Sequence, residues 1–99
     1  MTIPDGLEPI ARWGPHTPHW VDANINEKIA WVKQHIPRHQ DALNATFYAL
    51  DTGPVAAVRY FARNNDGRKY HDPASGRPAL EPGPVIVPLS ELPPEHLLR

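Results

Sequence analysis

Three side chains on one short stretch, Arg59, Phe61 and Arg63, form the pattern in this sequence best suited to binding. On a β-strand, residues two apart project from the same face. Lys69 and His71 join this face if the following segment pairs back as a hairpin. Arginines interleaved with an aromatic ring can hold phosphates and stack a base, can bind an acidic partner protein, or can form a solvated sheet face. We predict a binding surface made of Arg59, Phe61, Arg63, Lys69 and His71.

Signals for catalysis and metal binding are weak. His16 with His19 and His35 with His39 have spacings found in metal sites, but no H-E-x-x-H pattern is present and Pro37 interrupts the second pair. The chain has no cysteine, no glycine-rich phosphate loop and no G-x-S-x-G motif. We predict no metal site and no cofactor, assign no catalytic residue, and favour a non-enzymatic protein.

The element that must position the predicted surface is a three-stranded antiparallel meander over residues 44–72. This is the long segment richest in aromatic and β-branched residues. Residues 51–53 (Asp-Thr-Gly) and 65–67 (Asn-Asp-Gly) both fit three-residue hairpin loops.

Two three-residue loops would fix which residues pair across the meander and which side chains share a face. This register places Tyr48 opposite Ala56, Phe61 opposite His71, and Arg63 opposite Lys69. The face opposite the basic residues is predicted as core and carries Tyr48, Leu50, Ala56, Val58, Tyr60, Ala62 and Tyr70. A two-residue Asp66-Gly67 turn is the alternative, and it would put Tyr70 on the basic face in place of Lys69.

A helix is predicted over residues 24–36. Asn24 followed by Glu27 is a capping-box pattern. One apolar stripe at helical spacing is predicted to pack on the sheet: Ile25, Ile29, Val32 and Ile36. Trp31 falls outside this stripe, so we expect it at the boundary or in solvent. Pro37 should end the helix, and a short second helix over residues 38–43 is compatible with the sequence.

Thirteen prolines and six glycines concentrate toward the two ends of the 99-residue chain. We predict one domain, residues 1–99, with a Pro/Trp arm (1–21), a helix-plus-sheet core (22–89) and a C-terminal tail (90–99). The tail either forms one or two helical turns or stays extended, with its leucines free for a partner. The fold class is α+β: one or two helices packed on a three- to four-stranded, mostly antiparallel sheet, with Pro-rich N- and C-terminal arms.

Charge and composition bear on the partners, the cellular compartment and the origin expected for this protein. A net charge of −1 argues against a general nucleic-acid binder. No signal sequence or spanning apolar run is evident, so we expect a cytoplasmic protein without a membrane partner. Arginine outnumbers lysine seven to three, which is typical of GC-rich bacterial or phage genomes.

These observations favour a small non-enzymatic binding or regulatory protein of bacterial, phage or mobile-element origin that acts through a protein partner. The alternative is an RNA-binding protein. The order of elements over residues 24–87 resembles that of RelE-type ribonuclease toxins, which implies a metal-independent endoribonuclease. In that reading, arginines stabilise phosphate charge and His71 or Tyr70 transfers the proton.

Overall fold

The computed structural model describes residues 3–15, 17 and 20–98. These residues form one antiparallel sheet whose strands follow chain order: β1 (Ala11–Trp13), β2 (Ala42–Leu50), β3 (Gly53–Tyr60) and β4 (Val85–Pro88). The helix α1 (Ile25–His35) packs on one face of the sheet. Short 3-10 turns at His39–Asp41 and Glu95–Leu97 precede β2 and follow β4. The predicted α+β class is confirmed.

The hairpin between β2 and β3 is one residue tighter than predicted. Leu50 pairs with Gly53, which leaves a two-residue turn. Phe47 therefore lies opposite Ala56, and the predicted pairing of Tyr48 with Ala56 is wrong. Because a one-residue shift exchanges the faces of a strand, Phe47 enters the core, while Tyr48 and Leu50 project from the other face. This register buries the all-carbon ring of Phe47 and leaves Tyr48 half-buried on the other face.

The predicted third strand of the meander does not extend the sheet. After Tyr60 the described chain forms isolated bridges: Phe61 with Leu80, Arg63 with Lys69, and His71 with Pro78. The predicted pairing of Arg63 with Lys69 is confirmed, and that of Phe61 with His71 is wrong. β4 occupies the edge of β3 instead, because its Val87 fills a core position while residues 64–71, including Tyr70, are exposed.

The helix turns a different face to the sheet from the one predicted. Trp31 is 6% exposed, and its ring centroid lies 5.8 Å from that of Trp13 and 5.6 Å from that of Phe47. Ile29, which we predicted as buried, is 38% exposed, whereas Ile36 of the same stripe is buried. An indole offers more apolar area than an isoleucine side chain, so the orientation that covers Trp31 is favoured.

The buried face of α1 also holds a charged residue, Lys28. Its ammonium donates to the Asp22 carboxylate at 2.8 Å and to the Trp20 carbonyl at 3.4 Å. Burying an ammonium is costly unless it is paired and hydrogen-bonded. These two bonds therefore fix the end of the N-terminal arm against the helix.

The C-terminal segment folds back on the start of the helix. Leu97 belongs to the buried core. The His96 imidazole lies 2.8 Å from the Glu27 carboxylate, and the Asn24 side chain donates to the His96 carbonyl at 3.3 Å. Asn24 makes no side-chain cap bond, so the predicted capping box is wrong and both of its residues hold the tail instead. Leu97 is consequently not free for a partner.

Gly14 brings the N-terminal arm into close contact with β2. A Cβ atom at this position would lie 2.7 Å from the Cβ of Asn44 and 2.8 Å from the carbonyl oxygen of Leu43. Its φ of 138° also lies in the region that glycine favours. The contact falls on a bulge in β2, where the register with β3 shifts between Ala42 and Asn44.

Prolines bound both edge strands of the sheet. Pro9 and Pro15 lie on either side of β1, Pro84 precedes β4, and Pro88 ends it. Proline cannot donate a backbone hydrogen bond, so ladders rarely continue past it.

Gly14→Ala should destabilise the protein more than Gly53→Ala. Gly53 has a similar φ of 131° but nothing within 4 Å of the position of its missing Cβ. Both variants therefore pay about 1–3 kcal/mol for backbone strain. Gly14→Ala should lose about 1–3 kcal/mol more, because the methyl group overlaps β2. Urea unfolding compares the two, and equal losses would show that the arm does not need this close approach.

Trp31→Ala should lower the free energy of unfolding by about 3–5 kcal/mol, because it removes a buried indole. Ile29→Ala should cost less than about 1 kcal/mol, since that side chain is half-exposed. Thermal and chemical unfolding of the two variants measure the difference. The reverse order would mean that the helix presents the isoleucine stripe to the sheet.

Candidate binding cleft

Arg63, one of the five predicted surface residues, is held by an ion pair. Its Nε and Nη2 atoms donate to the carboxylate of Asp41, which is buried, and its Nη1 donates to the Gly67 carbonyl at 2.6 Å. The hydrogen bond from the Arg63 guanidinium holds the pKa of Asp41 below its ordinary value, against the opposing effect of burial. Arg63 thus ties the 3-10 turn before β2 to the loop after β3.

Lys69 and Phe61 meet beside this ion pair. The Lys69 ammonium lies 4.7 Å from the centroid of the Phe61 ring and donates to the Gln40 carbonyl at 3.0 Å. Both interactions orient the cation, since the face of an aromatic ring attracts an ammonium group. Phe61, Arg63 and Lys69 are therefore brought together around the turn at His39–Asp41.

The other two predicted residues lie elsewhere on the molecule. Arg59 pairs with Asn44 across the sheet and projects from the face of β3 that is turned away from the helix. His71 is exposed in the loop that bridges to Pro78. Within the part of the chain that the structure describes, neither side chain forms a hydrogen bond or an ion pair.

A second ion pair neutralises another cation in this region. Arg38 donates to both carboxylate oxygens of Glu81, at 3.3 and 2.5 Å, and its guanidinium lies over the Tyr60 ring. The hydrogen bond from Arg38 lowers the pKa of Glu81 below its ordinary value, against the opposing effect of burial. Sequence reasoning missed the pair, because its partners are 43 positions apart and leave no local pattern.

An open cleft of about 520 Å³ lies between α1, the N-terminal arm and the start of β2. Its volume is in the range of sites that enclose small ligands. The helix contributes Ile29, Val32, Lys33 and Ile36; the arm contributes Trp13, Gly14, Pro15 and Trp20; the turn, the start of β2 and the segment after β3 contribute His39, Gln40, Ala42, Leu43, Asn44, Ala45 and Phe61.

The floor of the cleft is an aromatic cluster. Trp13 is almost fully buried, and its ring centroid lies 4.8 Å from that of Phe47 and 5.9 Å from that of Trp20. Edge-to-face and tilted contacts of this kind stabilise aromatic clusters beyond simple burial. The bulge in β2 leaves Leu43 on the wall. The cleft is therefore an apolar depression on a well-packed base.

The polar groups of the lining are few, and none of the described lining residues is acidic. Lys33, His39, Gln40 and Asn44 supply the polar atoms. The sequence pattern predicted Phe61 as part of a binding surface, but it did not predict the other residues of the cleft. One signal for the cleft was present in the sequence. The apolar stripe of the helix is narrow, and its member Ile29 is left partly exposed on the cleft wall.

His35 and His39 are not part of any metal-binding cluster among the described residues. His35 stacks on Trp31 with ring centroids 4.0 Å apart, and its Nε2 lies 3.6 Å from the Glu91 carboxylate. Within the described chain, no three His, Cys, Asp or Glu residues cluster as metal ligands would. His16 and His19 lie outside the described residues. No helix in the described ranges has the length and apolar character required to cross a membrane.

Comparison of the chain with protein-family models, with curated proteins and with solved structures found no match. The geometry of the cleft is therefore the basis for assigning a function.

The Asp41–Arg63 pair should make stability depend on acid pH. The lowered pKa of Asp41 means that the pair stabilises the fold fully above about pH 4, the ordinary pKa of an aspartate. This contribution is lost as the pH falls through the lower pKa of the folded state. Arg63→Gln should thus lower the melting temperature at pH 7, and the difference from the wild type should shrink in acid.

Arg68→Gln is the matched control, because Arg68 is exposed and its side chain makes no ion pair in the described structure. It should leave the melting temperature nearly unchanged at both pH values. A loss in Arg63→Gln that is the same at pH 7 and in acid would show that the ion pair is not its cause.

Proposed function

We propose that this chain is a small non-enzymatic binding protein that acts in the cytoplasm through a protein partner. The partner inserts a large apolar side chain into the cleft between α1 and β2. The composition supports a bacterial or phage origin. The single observation that carries the proposal is the apolar cleft of about 520 Å³ seated on the aromatic cluster.

The exposure of the cleft residues supports this role. Trp20, Val32, Leu43 and Phe61 are half-buried and Ile29 is 38% exposed, so apolar surface remains for a partner to cover. Large apolar anchors that fill such pockets provide most of the energy in many protein interfaces. Contiguous apolar surface on a small protein commonly marks an interaction site.

The alternative, an RNA-binding protein or RelE-like ribonuclease, has weaker support. Arg63 and Arg38 are each paired with a carboxylate, which reduces the charge available to phosphates. His71 makes no contact that would orient it for proton transfer in the described structure. RNA affinity that falls steeply with added salt would favour the alternative.

Ile29→Asp should abolish partner capture without unfolding the protein, because it puts a charge on the cleft wall at a half-exposed position. Val21→Asp is the matched control, since Val21 is 80% exposed and does not line the cleft. Both variants should keep the wild-type circular dichroism spectrum. Proteins captured from the native host by wild type and Val21→Asp but lost with Ile29→Asp would support the proposal; equal capture by all three would refute it.

A further inference from the structure

We infer that the segment bound in the cleft is acidic: one large apolar side chain flanked by glutamate or aspartate. This inference rests on the proposed function and adds the chemistry of the partner. It follows from the distribution of charge around the cleft, which differs in sign from that of the whole chain.

The cleft wall formed by α1 carries a lysine that is unpaired among the described residues. Lys33 lines the cleft, is exposed, and forms no hydrogen bond or ion pair in the described structure. An exposed ammonium on a flexible stem can reach a carboxylate of a bound segment without a large desolvation cost. His39 adds a second basic side chain on the turn before β2.

A second ammonium lies next to another wall. Lys69 is held over Phe61 and bonded to the Gln40 carbonyl, and both of those residues line the cleft. The carbonyl carries no charge, and the Asp41 carboxylate that attracts Lys69 is shared with Arg63, so one carboxylate serves two cations here. The two lysines place cations beside the helix wall and beside Phe61.

The two carboxylates in the neighbouring segments are each ion-paired with an arginine, and Asp41 also attracts the Lys69 charge. Asp41 is buried against Arg63, and Glu81 is paired with Arg38. The chain as a whole has a net charge of −1, so the cationic margin is a local feature and not a result of general basicity. Complementary charge at the margin of an apolar pocket increases the rate of association and excludes partners of like charge.

Three blocked pentapeptides test this inference. Each has phenylalanine at its centre, flanked on both sides by two glutamates, two lysines or two glutamines. Binding to the full chain is followed by the shifts of the Ile29 and Asn44 amide signals in nitrogen–proton correlation spectra. The glutamate peptide should bind about threefold to tenfold more tightly than the glutamine peptide at low salt, and the lysine peptide more weakly than either.

Lys33→Glu should reduce or reverse the preference for the glutamate peptide. Arg77→Glu, at an exposed position outside the cleft lining, should leave it unchanged. Added salt should also reduce the preference. Equal binding of the three peptides at these signals would overturn the inference but leave the proposed function standing. Binding of no peptide would overturn the inference, while the capture experiment with Ile29→Asp decides the proposed function separately.

A short oligouridylate, added as a competitor of the glutamate peptide, tests whether the cleft prefers RNA. Displacement of the glutamate peptide by this RNA, with tighter binding than any peptide, would overturn the inference in favour of a nucleic-acid ligand.

Discussion

The packing of Trp13 is the interaction that connects the sheet, the helix and the N-terminal arm of this fold. Its ring packs on Phe47 of the sheet, on Trp31 of the helix and on Trp20 of the arm. The neighbouring core positions of β2 and β3 are filled largely by alanine and valine, which leave room for the indole. Removing it would take away the ring that all three parts contact. The close approach at Gly14, one residue later, is what allows the strand to bring this ring into place.

The sequence predicted the kinds of element better than their orientation. Alternating apolar residues and turn glycines indicated the β2–β3 hairpin, but a glycine after Asp-Thr can end the loop or begin the strand. Gly53 begins the strand, and this single residue of difference put Phe47 in the core and Tyr48 on the opposite face. The helical spacing of the isoleucine and valine residues predicted the helix. Its buried face was missed, because the area of one indole outweighed a narrow isoleucine stripe.

The candidate site was less predictable, because most of it is assembled from distant segments. Spacing along one stretch of chain could link Phe61 with Arg63, and the hairpin could link Arg63 with Lys69. No local pattern shows that Asp41, which lies 22 positions earlier, holds Arg63. The cleft combines residues of the arm, the helix, the turn, β2 and the segment after β3, so its existence depends on tertiary packing.

The prolines that bound β1 and β4 determine how this sheet can meet another chain. Edge strands normally invite β-augmentation, in which a partner adds a strand through main-chain hydrogen bonds, or open-ended self-assembly. Here one edge strand has three residues and the other has four, and proline stands at or beside their ends. Strand addition is therefore limited at both margins. The proposed recognition accordingly uses partner side chains that enter the cleft, and the same two short edges disfavour fibril-like stacking of the folded chain.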